Sequence, residues 1–248
     1  MNARGTSTPL ECLKREIHVW LVVPEAIQEK TRLAACQSVL CPSERARYKR
    51  FYFPEDRHRY LVSHALVRNV LSHYLDIPPA EWMFYRTGHG RPELANLEIP
   101  ALRFNLTHTA GLAACVVALS DHCGIDAEHV TARHNPLGVA RRMFSDGEYE
   151  QLRQLTGRKQ LEYFFSRWTL REAYVKARGI GLSFPTRMLR FDVDPAGLVS
   201  VNFQPELKEQ TDRWHFNLLT PTPRHIAAIA IRRTANLDKQ LVVRKFNL

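Results

Sequence analysis

The chain has 248 residues, 45% hydrophobic and 10% aromatic, the composition of a folded protein and not of a disordered one. Lys and Arg outnumber Asp and Glu by 35 to 25, a net charge of +10, which favours anionic partners: nucleic acid, a membrane surface, a phosphorylated cofactor or an acidic protein. The five cysteines (Cys12, Cys36, Cys41, Cys115, Cys123) form no CxxC pair, the segment MNARGTSTPL lacks the apolar stretch of a secretory signal, and the apolar runs are too short to span a membrane. Disulfide scaffolds, zinc sites and membrane spans are therefore not indicated, and a cytoplasmic protein is expected.

In chain order, Ile17 to Val23 is rich in β-branched residues and predicts a strand. Pro42-Ser43-Glu44 opens a basic, aromatic stretch that leads into an amphipathic helix reaching about Leu75, with Leu61, Ala65, Leu66, Val70 and Leu71 on one side. Pro78 and Pro79 end it, and the glycines and proline of Thr87 to Pro92 predict a loop. FNLTHT, the apolar run Leu112 to Leu119 and Gly124 to Glu128 follow as extended segments. Ser145-Asp146-Gly147-Glu148 then opens a second helical region. A strong helix from about Leu161 to Arg178 is closed by Gly179, and strands are expected at Met188 to Val193, Leu198 to Phe203, Trp214 to Leu219 and Ile226 to Ile231. Each half offers a helix pair followed by strands, which predicts an α+β fold of two similar halves with any active site at their junction. The division expected is residues 1–108, 109–234 and a peripheral tail, 235–248.

Two stretches carry chemistry. In Gly124-Ile125-Asp126-Ala127-Glu128, residues two apart on a strand share a face, so Asp126 and Glu128 present two carboxylates side by side, as a hard cation such as magnesium requires. An exposed strand end bearing two acids is the bland alternative. In FFSRWTLREAYVKARGIGL (Phe164 to Leu182), Trp168, Glu172 and Lys176 lie four apart on one helix face. The alternative there is a packed tryptophan beside a solvated Glu–Lys pair, although Phe165, Ala173 and Ala177 on the opposite flank imply a buried helix whose charges need partners.

Taken together, FNLTHT, GIDAEHV and FSRWTLREAYVKARGIGL, in this order and spacing, resemble the signature of the 4'-phosphopantetheinyl transferase superfamily, specifically its larger monomeric, surfactin-type (Sfp-type) branch. The resemblance runs from about Ser43 to Ile231. It implies a pseudo-dimer of two similar α/β halves that transfers the 4'-phosphopantetheine arm of coenzyme A to a serine of an apo acyl or peptidyl carrier protein. The implied cofactor is Mg2+, with Mn2+ as a substitute; coenzyme A is the co-substrate, and neither nucleic acid nor membrane is a partner. Position by position, Asp126, Glu128 and Glu172 would hold the metal. Glu172 would also take the serine proton, directly or through water, and Lys176 would stabilise or protonate the leaving phosphate. Thr107 and His108 match a pair whose histidine meets the 3'-phosphate of coenzyme A, and His108 joins Glu172 and Lys176 as a catalytic candidate. Arg91 and Arg47 occupy places of phosphate-binding basic residues, and His89 lies near the adenine.

Three positions depart from the family pattern. Glu44 stands where a lysine for coenzyme A is common, Ala127 replaces a bulkier middle residue, and Arg171 replaces a lysine. The segment from His129 to Leu155, with Val130, Met143, Phe144, Tyr149 and Leu152, either docks the carrier or fills local core. The chemistry agrees with the resemblance: a phosphoryl transition state needs a divalent cation and a lysine, and a serine hydroxyl needs a base. The rival reading is a basic nucleic-acid-binding protein using KRFYF and RHRY, which leaves Asp126, Glu128 and Glu172 without a purpose.

Overall fold

A computed structural model describes residues 7–132, 135–181, 184–234 and 238–248. In chain order it contains α1 (Pro9–Cys12), β1 (Glu16–Val22), α2 (Lys30–Ser38), α3 (Pro42–Lys49), α4 (Pro54–Ser72), β2 (Phe84–Arg86), β3 (Pro92–Leu94), β4 (Leu102–Thr109) and β5 (Leu112–Leu119). There follow β6 (His122–His129), α5 (Pro136–Met143), α6 (Asp146–Arg153), α7 (Gly157–Arg178), β7 (Leu189–Val193), β8 (Val199–Phe203), β9 (Trp214–Thr222), β10 (His225–Arg232) and β11 (Gln240–Lys245). The chain forms two compact units, one of Met1–Tyr85, Pro92–Ser120 and Leu237–Leu248, the other of Arg86–Arg91 and Asp121–Asn236.

The first unit is built on a four-stranded sheet in the order β11-β1-β5-β4. β5 is apolar at nearly every position and lies in the middle, paired antiparallel to both β1 and β4. α4 starts with Pro54 in its first turn, followed by Glu55 and Asp56, which suit the positive end of a helix. It buries Val62, Leu66, Val70 and Leu71 together with residues of the sheet. The second unit repeats the plan with a three-stranded antiparallel sheet, β6-β10-β9, and a β7-β8 hairpin. Its long helix α7 buries Leu170, Ala173, Tyr174 and Ala177 with Phe191, Trp214, Phe216, Ala228 and Ala230. α+β with two similar halves is the architecture observed. Among the described residues, no helix is long and apolar enough to cross a membrane.

Two features differ from the expected division. The boundary falls after Ser120 and not after 108, because β4 and β5 pair along their whole length from Leu102↔Leu119 to Thr109↔Leu112 and cannot be parted. The peripheral tail expected at 235–248 is in part a strand of the first unit: 235–237 lie outside the described residues, and β11 pairs in parallel with β1 from Glu16↔Gln240 to Leu21↔Lys245. Leu182, the last residue of the helical motif, also lies outside the described residues.

Candidate active site

The site in the second unit begins with a glycine. A Cβ at Gly124 would sit 2.1 Å from the Ala173 carbonyl oxygen and 2.4 Å from the Ala177 nitrogen, so α7 crosses β6 backbone to backbone. Strand alternation puts Asp126 and Glu128 on the same side as Gly124, and helix periodicity carries Glu172 and Lys176 beside the two alanines. Lys176 Nζ donates to Asp126 Oδ1 at 2.7 Å and to the Ile125 carbonyl at 3.1 Å. Asp126 is only 6% exposed. Trp168 Nε1–H donates to Glu128 Oε1 at 3.3 Å while its ring stacks on Phe164.

The carboxylates are coupled through their charges. Burial pushes Glu128 up to about 7; the charges of Asp126 and Glu172 add to the rise, and the Trp168 N–H and Lys176 oppose it. Burial likewise raises Glu172, again with help from Asp126 and against Lys176. An all-oxygen donor set under mutual repulsion suits a hard divalent cation in its chemistry. Among the described residues, no three His, Cys, Asp or Glu side chains already stand gathered at metal-ligand spacing. The acids are neighbours by charge, not a closed ligand cage.

At the far end of α7, Gly179 takes the left-handed conformation (φ +67°) that ends the helix. Arg91 Nη1 donates to the carbonyls of Lys176 and Ala177, both at 2.6 Å, and Nη2 to that of Cys123 at 3.3 Å. The ring of His89 lies about 3.5 Å from where a Gly181 Cβ would be. The turn that presents both is closed by Gly90 N–H to the Thr87 carbonyl and Thr87 N–H to that of Arg91. The structure thus groups Asp126, Glu128, Glu172, Lys176, His89 and Arg91 within one unit. Arg47, Thr107 and His108 belong to the other. There, Thr107 is buried and His108 exposed on β4, and exposed Arg47 on α3 holds its guanidinium over the Tyr60 ring at 5.7 Å.

Two of the three departures from the family pattern, Glu44 and Arg171, have structural explanations. Glu44 accepts from Arg68 Nε at 2.8 Å, His64 Nδ1 at 2.9 Å and the Cys41 N–H at 3.0 Å. Arg171 is 1% exposed and pairs with Glu148, whose other oxygen accepts from the Phe191 N–H. Of the proposed docking residues, Phe144 and Leu152 are wholly buried and fill core, while Val130, Met143 and Tyr149 pack against it half-buried. Sequence reasoning missed the Trp168–Glu128 bond and Arg91's place on α7, but a glycine inside a strand was a usable signal for the close crossing.

The description "4'-phosphopantetheinyl transferase superfamily" matches residues 122–230, and "4'-phosphopantetheinyl transferase, N-terminal" matches residues 27–120. The 4'-phosphopantetheinyl transferase HetI of Nostoc is 30% identical over 223 residues, 90% of each chain. The transferase Sfp of Bacillus subtilis is 32% identical over 164 residues, 66% of this chain and 71% of its own. A holo-(acyl-carrier-protein) synthase of Bacillus anthracis, solved in complex with CoA (3',5'-ADP), aligns with 44% of this chain and 93% of its own at 18% identity and a TM-score of 0.38. With nine-tenths of HetI matched, the chain belongs to the 4'-phosphopantetheinyl transferase superfamily.

Proposed function

We propose that the protein transfers 4'-phosphopantetheine from coenzyme A to a serine hydroxyl of an apo acyl or peptidyl carrier protein, releasing adenosine 3',5'-bisphosphate. The observation that carries this reading is the crossing at Gly124, which sets Asp126, Glu128, Glu172 and Lys176 on one patch. Glu172 takes the serine proton; burial raises its affinity for protons, which makes its ionised form a stronger base than an ordinary glutamate. The serine oxygen bonds to the β-phosphorus as the bond from that phosphorus to the bridging oxygen breaks. Lys176 leaves its bond to Asp126 to meet the negative charge that develops on the departing bisphosphate.

Asp126, Glu128 and Glu172 are the residues that would hold Mg2+ or Mn2+. When bound, such an ion supplies Lewis-acid charge to the phosphoryl oxygens and relieves the carboxylates' repulsion. Arg47, His89, Thr107 and His108, with Lys176, are assigned to coenzyme A. A basic surface draws in both a polyanionic cofactor and an acidic carrier, and the buried acidic patch argues against a nucleic-acid backbone as the ligand. We place the enzyme in the cytoplasm as a monomer. Incubation with apo-carrier, coenzyme A and Mg2+ is expected to add about 340 Da to the carrier, the mass of the transferred arm. An unchanged carrier mass across acyl and peptidyl carriers would refute the proposal.

A further inference from the structure

Arg91 invites a role different from the phosphate contact that family resemblance implied. The last carbonyls of a helix have no i+4 partner within it, and α7 ends at Arg178, so the Ala177 carbonyl is open to an outside donor and the Lys176 carbonyl meets the Gly179 N–H at the helix end. Arg91 donates to both, and its planar charged fork suits the negative end of the helix. It is 8% exposed, and its Cδ lies 3.3 Å from where a Gly179 Cβ would be, so the terminal glycine leaves room for the side chain. Its Nη2 donates to the carbonyl of Cys123, the residue before Gly124, where α7 and β6 touch. Lys176 is thus gripped at both ends, by Arg91 at its carbonyl and by Asp126 at its ammonium.

We infer that Arg91 is a positioning residue: it fastens the end of α7 to β6 and, through that, fixes the Lys176 backbone beside Asp126, so that the ammonium starts within reach of the leaving phosphate. The inference rests on the transferase reading, and the wild-type mass assay tests that reading separately. Arg91→Lys keeps the charge and loses the fork. For a clamp, kcat falls about ten-fold or more, equally with coenzyme A and 3'-dephospho-coenzyme A, while the ratio of the two KM values stays at the wild-type figure. In a Lys176→Met background, the same change costs little further, because the two act as a unit. For a phosphate ligand, Arg91→Lys instead raises KM for coenzyme A alone, which overturns the inference. So does wild-type turnover, or a loss that simply multiplies with Lys176→Met. If Arg91→Lys does not fold, guanidinium NMR of the wild type decides. Arg91 resonances that stay put on adding either ligand support the clamp, and a shift with coenzyme A but not with 3'-dephospho-coenzyme A refutes it.

Discussion

Two half-buried glutamates, one in each unit, have opposite fates. Burial works to raise Glu44, but the hydrogen bonds from His64 and the Cys41 N–H, with the charges of His64 and Arg68, hold it down at about 2. Burial also works to raise Glu128, which meets the charges of Asp126 and Glu172 with only the Trp168 N–H and Lys176 against them, and rises to about 7. A carboxylate that holds a fold together is surrounded by donors. Glu128 is instead set among other carboxylates, a cost that the proposed function accounts for by assigning them a cation. Glu148 follows Glu44: wholly buried, it is matched by Arg171, the Phe191 N–H and its own helix cap at Ser145.

The comparison can be broken most directly at Glu172. Glu172→Gln is expected to lower kcat by about a thousand-fold with coenzyme A binding largely kept, measured by carrier mass and by calorimetry. Wild-type turnover would put Glu172 with the structural acids. Gly124→Ala should destabilise the second unit by about 3 kcal/mol in denaturant melts, because its methyl group meets backbone and not a movable side chain. Glu44→Gln is expected to cost about 2 kcal/mol of stability, leaving Arg68 buried beside a neutral partner, with kcat unchanged. A large fall in kcat without a fall in stability would move Glu44 into the site.

The smallest effect is a difference of sign with pH. Glu44 is held below its ordinary 4.5, so its contribution is whole above pH 4.5 and fades as the pH falls toward 2. Glu128 is raised, so its protonated form is favoured by the fold; that advantage is whole below pH 4.5 and disappears as the pH rises through 7. Glu128→Gln should therefore gain stability relative to the wild type between pH 5 and pH 8, and Glu44→Gln should lose it between pH 2 and pH 5. Parallel curves for the two variants would show that the two environments do not differ.

The acids and the lysine were legible because strand and helix periods decide which side chains share a face, and that decision is local. Asp126 with Glu128, and Glu172 with Lys176, needed nothing more. Arg91 was legible as a basic residue in a glycine turn but not as a helix clamp, since its acceptors are backbone carbonyls 85 and 86 positions away and any residue supplies a carbonyl. Glu44 stood out as an odd residue, but its partners Arg68 and His64 come one helix later and answer to packing, not to spacing. β11 escaped for a related reason. Its apolar centre is three residues, Leu241 to Val243, between Gln240 and Arg244, and its partner strand lies more than two hundred positions earlier in the sequence.

That pairing has a consequence for how the molecule comes into being. The ladder from Glu16↔Gln240 onward, the Trp20–Phe246 contact and the bond from Arg32 to the Leu248 carbonyl all tie residues made early to residues made much later. On a ribosome the second unit has all but its short Arg86–Arg91 turn in one continuous stretch and is complete before β11 emerges. The first unit, although begun earlier, must wait with one edge of β1 uncovered until β11 has been made, which leaves β1 open to wrong pairing in the newborn chain.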